Sequence, residues 1–216
     1  MTVSSQRVSI EQMRRLGVLA VIRAPDVSSA LAGVEALVAG GIKGIEITYS
    51  TPDAPRVIAE VRSRHDADVI VGAGTLTTSI EVNDAVGAGA QFLVSPGTHP
   101  VIAEALRDSG TLFALGALTP SEVMVATAYG ADAVKIFPGS LGGPAYLRAL
   151  RGPFPDVPFM PTGGVTVENA PEWLDAGAVC LGAGGDLVSS ALLAAGNFAE
   201  ITRRAERFVA RVGDRA

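Results

Sequence analysis

Cysteine is nearly absent from this chain: Cys180 stands alone among 216 residues. That excludes an internal disulfide and any metal cluster built on several thiolates. Its setting, Ala178-Val179-Cys180-Leu181, is that of a small core residue. Histidine is almost as scarce. His65 and His99 alone cannot furnish a multi-histidine metal site, and no metal or other cofactor is expected. Acid–base work then falls to carboxylates, lysine or hydroxyls. No window is apolar for the length a bilayer crossing needs, and Met1 to Glu11 lacks the basic, apolar and small-residue order of a secretory leader. A cytoplasmic location is expected. The formal net charge of -5 is spread over scattered groups with no continuous basic face, which argues against nucleic acid and anionic membranes as partners. Small molecules, or further copies of the chain, are the partners to expect.

Lysine is the scarcest of the charged residues. Only Lys43 and Lys135 occur, so arginine serves nearly every other cationic position. Lys135 lies in Ala133-Val134-Lys135-Ile136-Phe137-Pro138, a run otherwise apolar enough for a buried strand. A lysine retained there points to what guanidinium cannot supply, a primary amine able to lose its proton and attack a carbonyl. The competing reading is a sheet-edge lysine whose stem packs while its head reaches water.

What the chain has in abundance is rhythm. Eight β-rich runs recur at intervals of roughly 20 to 26 residues, the length of a strand plus a covering helix. They are Val18 to Arg23, Gly44 to Tyr49, Val69 to Thr75, Phe92 to Pro96, Leu112 to Leu118, Ala133 to Phe137, Phe159 to Gly164 and Val179 to Gly184. Amphipathic segments such as Ser28 to Ala39, Ala54 to Arg64 and Pro100 to Arg107 lie between them. A slower period overlies the first: Gly40-Gly41, Gly87-Ala88-Gly89, Gly130 and Gly177 each end a helix just before an even-numbered strand. Four β-α-β-α quarters predict a closed (β/α)8 TIM barrel, one domain over residues 1–216, rather than an open doubly wound sheet. Ser9 to Arg15 reads as an extra N-terminal helix capping the barrel floor, and Asn197 to Val212 as the long final helix.

Active groups of such barrels gather at the C-terminal ends of the strands. Strand alternation turns Gly44, Glu46 and Thr48 inward, and likewise Ala133, Lys135 and Phe137. A glutamate and a lysine inside one small barrel must pair or neutralise. A structural ion pair is one reading; the small neighbours Gly44 and Ala133 leave room for another, catalysis through an imine. Arg23, Thr75, Ser95 and Thr162 are further inward candidates near strand ends. Arg23 suits a substrate carboxylate, or alternatively pairs with Asp26 at the rim. Thr75 and Thr162 adjoin glycines that a ligand can approach closely, although either can also serve as a plain turn residue. The clusters Thr162-Gly163-Gly164-Val165 and Gly182-Ala183-Gly184-Gly185-Asp186 follow strands seven and eight, where barrels commonly bind phosphate through backbone N–H groups. His99, near the mouth, reads as a loop or helix-start residue, with contact to a ligand as the alternative.

With these residues placed, the chain resembles the 2-keto-3-deoxy-6-phosphogluconate (KDPG) aldolase and 4-hydroxy-2-oxoglutarate (KHG) aldolase family, from about Leu16 to about Val188. Val21-Ile22-Arg23, Ile45-Glu46-Ile47-Thr48, Gly72-Ala73-Gly74-Thr75, Val94-Ser95-Pro96-Gly97, Val134-Lys135-Ile136-Phe137-Pro138 and Pro161-Thr162-Gly163-Gly164-Val165 carry the likeness. The resemblance implies a class I lyase and homotrimer that needs no metal, with Lys135 as the imine-forming residue and Glu46 as acid/base through a water. It implies that Arg23 and Thr75 hold the pyruvyl carboxylate, that Pro96 and Thr162 line the pocket, and that Gly163, Gly164, Gly184 and Gly185 bind phosphate. Two positions depart from some relatives: Ser50 stands where they carry an arginine, and Gly185 where they carry a serine. Pro138-Gly139-Ser140 followed by Gly143-Pro144 is similar to the phosphogalactonate branch, so the sugar epimer stays open. Cleavage of 4-hydroxy-2-oxoglutarate is a rival activity, and non-covalent phosphosugar binding a rival of another class.

Overall fold

The computed structural model describes residues 7–65 and 68–213; Met1 to Gln6, the front of the segment read for a leader, lie outside them. All eight strands form, as β1 (Val18–Ile22), β2 (Gly44–Thr48), β3 (Ile70–Gly74), β4 (Phe92–Val94), β5 (Leu112–Ala117), β6 (Ala133–Ile136), β7 (Phe159–Pro161) and β8 (Leu181–Ala183). They pair in parallel in the order β7-β6-β5-β4-β3-β2-β1-β8. Isolated bridges from Phe159 to Ala178 and from Thr162 to Gly182 bring β7 to β8 and nearly close the ring. Around it run α1 (Ile10–Leu16), α2 (Val27–Ala39), α3 (Ala54–Arg64), α4 (Ser79–Gly87), α5 (Pro100–Asp108), α6 (Pro120–Ala128), α7 (Gly143–Arg151), α8 (Ala170–Asp175), α9 (Ser190–Ala194) and α10 (Phe198–Gly213). The expected TIM-barrel architecture is the observed one.

The slow glycine period has a geometric cause. Gly41, Gly89, Gly130 and Gly177 have φ of 91°, 89°, 80° and 94°, left-handed values that turn the chain from α2, α4, α6 and α8 into the next strand.

Strands end earlier than hydrophobicity predicts, and at five of them the structure shows what stops the pairing. Thr75 is left-handed, Pro96 and Pro138 lack the N–H a ladder needs, and Gly163 and Gly164 have φ of 87° and 76°. Leu118 gives its N–H to the Glu122 carboxylate at the start of α6 instead of to the sheet. The 3-10 turn Gly139–Leu141 that follows β6 went unpredicted, whereas the apolar helix face expected at Ala191 to Ala195 forms as α9. Leu193 of α9 is buried against Gly33 of α2, so packing accounts for part of the apolar run Ala191 to Ala195.

Two separate cores result. The larger fills the space between sheet and helices, where Ile45, Ile47, Val134 and Ile136 meet residues such as Val57, Leu147 and Trp173. A smaller one plugs the lower barrel with Leu19, Ile70, Phe92, Leu112, Met160 and Cys180, closed from below by Met13 of α1. Ser9 caps α1 through a reciprocal box with Gln12, which holds this lid in place. Burial in the plug pushes the Cys180 thiol up to about 12, consistent with a packing role.

The start of α6 carries its own test. Thr119 accepts from the Glu122 N–H, while the Glu122 carboxylate accepts from the N–H groups of Leu118 and Thr119. Those donors hold the Glu122 carboxyl below its usual range. Thr119→Ala is expected to lower stability by about 1 kcal/mol in urea unfolding. Because folding favours the charged carboxylate, its stabilisation is complete above the ordinary carboxyl range and lost as pH falls through the lowered one. Glu122→Gln should therefore destabilise near neutral pH, with the deficit shrinking in acid.

Candidate active site

An eight-stranded barrel is narrow enough for side chains from opposite walls to touch. β2 and β6 stand four places apart in the ring, and each sends one long polar side chain inward. Lys135 Nζ lies 3.6 Å from Glu46 Oε1, with side-chain exposures of 3% and 0%. Both inward assignments hold, and the sheet-edge reading of Lys135 does not. The separation exceeds a hydrogen bond, and neither Glu46 oxygen takes one from the described residues. Both therefore remain available to a water or a substrate. The Phe137 ring, its centroid 5.2 Å from Nζ, flanks the amine with apolar surface.

The strands around this pair are stripped of side chains. Glu46 is in register with Gly72, and Lys135 with Gly116. A Cβ at Gly74 would lie 1.9 Å from Glu46 Oε1, so glycine there makes the space that the carboxyl occupies. At Gly116 a Cβ would come within 2.1 Å of the Pro96 carbonyl oxygen, and only glycine lets the Pro96 loop lean over the strand beside Lys135. Pro96 thus belongs to the surroundings of the amine, half-buried at the mouth.

The hydroxyl candidates divide. Ser95 is buried but already donates to the Gly97 carbonyl, which fixes the loop. Thr162 is 6% exposed and its Oγ1 has no partner among the described residues, as suits a ligand contact. Thr75 has φ of 59°, a left-handed conformation that strains a β-branched residue by roughly 1–3 kcal/mol. Such strain persists only where the surroundings impose it, and here it sits where β3 meets the mouth.

Arg23 lies one residue beyond β1 and is exposed at the rim. Asp26 is not its partner, because that carboxylate caps α2 through Ser29 N and accepts from the Ser28 and Ser29 hydroxyls. The guanidinium is left available to a ligand's carboxylate. Ser50 is tied to Thr48, whose hydroxyl reaches the Ile22 carbonyl and so links β2 to β1 beneath Arg23. His99 precedes α5 as its N-cap without a side-chain cap bond, as expected of a helix-start residue.

Past β7 and β8, Gly163, Gly164, Gly184 and Gly185 are partly or fully exposed, and their N–H groups reach no acceptor among the described residues. The Asn169 amide donates to the Gly164 carbonyl and accepts from Thr166 N, bracing the first loop. Val167 N is held by Asp186, which links that loop to the second. Free amides on braced loops can accept an anion without reorganisation. A confined primary amine beside a carboxyl, with anion acceptors at the rim, suits addition of the amine to a carbonyl and proton transfer at the adduct.

Comparison with known proteins agrees with that chemistry. The family model described as KDPG and KHG aldolase matches residues 9–204, a span that holds all eight strands. The chain is 35% identical over 204 residues to the 2-dehydro-3-deoxy-phosphogluconate aldolase of Treponema pallidum, covering 94% of this chain and 97% of that one. To the KHG/KDPG aldolase of Escherichia coli it is 37% identical over 210 residues, covering 94% and 96%. The solved structure of KDPG aldolase from Legionella pneumophila, with pyruvate captured as a covalent carbinolamine intermediate, matches with a TM-score of 0.83 at 31% identity, covering 92% and 97%. Agreement at this level over nearly the whole length of each protein shows that the chain is a lyase belonging to the KDPG and KHG aldolase family.

Proposed function

We propose that Lys135 forms the substrate imine and that the enzyme cleaves 2-keto-3-deoxy-6-phosphogluconate to pyruvate and glyceraldehyde 3-phosphate. The observation that carries this reading is the buried approach of Lys135 to Glu46. The neutral amine adds to the C2 carbonyl, and loss of water from the carbinolamine leaves a protonated imine. Glu46, acting through a water, takes the proton of the C4 hydroxyl. The C3–C4 bond then breaks, its electron pair moving into the imine to give an enamine while C4 leaves as the aldehyde. Protonation of C3 and addition of water to the regenerated imine release pyruvate and the free amine. Proton transfer of this kind contributes about 10²–10⁴-fold, and the imine supplies much of the remaining acceleration.

Arg23 and Thr75 are the groups we assign to the pyruvyl carboxylate, with Pro96 and Thr162 lining the pocket and Gly163, Gly164, Gly184 and Gly185 holding the phosphate. Free backbone N–H groups on the last two loops support the phosphate assignment. Arg23, exposed and without an ion-pair partner among the described residues, supports the carboxylate assignment where Ser50 cannot. Phosphorylated sugar acids do not cross bilayers unaided, which favours action in the cytoplasm. Val101 on α5 and Met124 and Val125 on α6 are exposed apolar side chains, which favours assembly, for which we propose a homotrimer.

Incubation with pyruvate and borohydride is expected to attach one pyruvyl group irreversibly at Lys135, read by peptide mass. Lys135→Arg keeps the charge but cannot form the imine, so turnover should fall below detection while urea unfolding changes little. Measurable turnover by that variant, or labelling elsewhere, would overturn the assignment. Gly74→Ala pushes the Glu46 carboxyl aside. It should lower kcat by about 10²-fold, the low end of what acid–base catalysis contributes, while pyruvate labelling persists.

A further inference from the structure

The loops assigned to phosphate lie against a third element that the sequence motifs did not single out as a site. The 3-10 turn Gly139–Leu141 follows β6 after only Phe137 and Pro138. A Cβ at Gly164 would lie 2.7 Å from Ser140 Cβ and 3.0 Å from its Cα. Ser140 therefore sits directly over the face of Gly164, and any side chain on residue 164 would displace it. The register is fixed by Gly139 N, which donates to the Thr162 carbonyl at 2.8 Å. Leu141 N to Pro138 O and Gly142 N to Gly139 O close the turn on itself. On the far side, the Tyr146 hydroxyl donates to the Leu118 carbonyl and holds α7 to the loop before α6. The turn is thus rigid although it lies at the surface.

Ser140 is exposed, and its hydroxyl has no partner among the described residues. The amides of Gly163 and Gly164 beside it are equally unused. Neither lysine of the chain lies in these loops, for Lys43 precedes β2 and Lys135 is buried in the barrel. No arginine belongs to these loops either, and Arg204, which reaches the Asp186 carbonyl, is already paired with Glu200, so the donors that the loops themselves offer a phosphate are neutral, and each hydrogen bond to the anion counts heavily. We infer that Ser140 is a specificity-determining residue of this aldolase, its hydroxyl donating to the substrate's terminal phosphate beside the amides of Gly163 and Gly164. The inference rests on the phosphosugar reading above and adds a side-chain donor where Gly185 offers backbone alone.

The test compares specificity constants for 2-keto-3-deoxy-6-phosphogluconate and for 4-hydroxy-2-oxoglutarate, which carries no phosphate. In Ser140→Ala the ratio of the two should fall by roughly 10-fold, through a higher KM for the phosphorylated substrate, as expected for one hydrogen bond to an anion. Ser140→Thr keeps the donor and should recover most of the ratio, which a merely structural role for the turn would not require. Inorganic phosphate, a competitive inhibitor of the wild-type enzyme on this reading, should inhibit Ser140→Ala more weakly. An unchanged ratio with unchanged phosphate inhibition in Ser140→Ala overturns the role of Ser140 alone. A wild-type enzyme that shows no preference for the phosphorylated substrate and no phosphate inhibition overturns the phosphosugar reading, and the Ser140 assignment with it.

Discussion

Two ionisable side chains reach for one another across the full width of the barrel, and most of what is unusual about this chain serves that approach. Lys135 and Glu46 arise from strands on opposite sides of the ring, so each must cross about half the interior before they come within 3.6 Å. Removing either charge from water is costly, and an imperfectly paired couple is a poor source of stability. Neither is optimised for stability here, since the Glu46 oxygens take no hydrogen bond from the described residues. Such an arrangement is a liability in a structural protein. On the proposed imine route, where the substrate arrives between the two groups, it is preorganisation.

Keeping that space open has consequences for the rest of the sheet. Glycine in a strand removes packing and adds unfolded-state freedom, yet Gly72, Gly74 and Gly116 all lie in strands around the pair. The deficit is made up below and outside. Aromatic and aliphatic side chains fill the lower barrel, and helices cover the outer faces of β2 and β6, where the isoleucines and valine on either side of Lys135 and Glu46 are buried. Inward and outward faces of the same five-residue segment thus do opposite work: one leaves room, the other fills it.

Much of this was legible in the residue pattern. Alternation along Gly44-Ile45-Glu46-Ile47-Thr48 gives the facing of Glu46, and the same rule gives Lys135, because a parallel strand covered by helices must turn its branched aliphatic residues outward. Helix-ending glycines announced the four quarters, since only a left-handed residue makes that turn compactly. What escaped was tertiary in origin. Nothing local requires Thr75 to be left-handed, and hydrophobicity alone extended every strand too far at its upper end. Alternation alone does not fix the facing of Arg23, which lies past the last paired residue of β1, where the rule no longer applies. The closeness of Ser140 to Gly164 was equally hidden, being set by two connections that meet only once the ring curls shut.

The apolar plug beneath the pair, sealed by Met13, makes the barrel a shaft with one opening. On the imine route, the three-carbon fragment stays bonded to the nitrogen at the bottom while the aldehyde fragment lies above it. Traffic is then sequential by geometry: in the cleavage direction the upper fragment must depart before the lower one is hydrolysed free. In the synthetic direction the keto acid has to be seated first, and an aldehyde arriving early would only block its way.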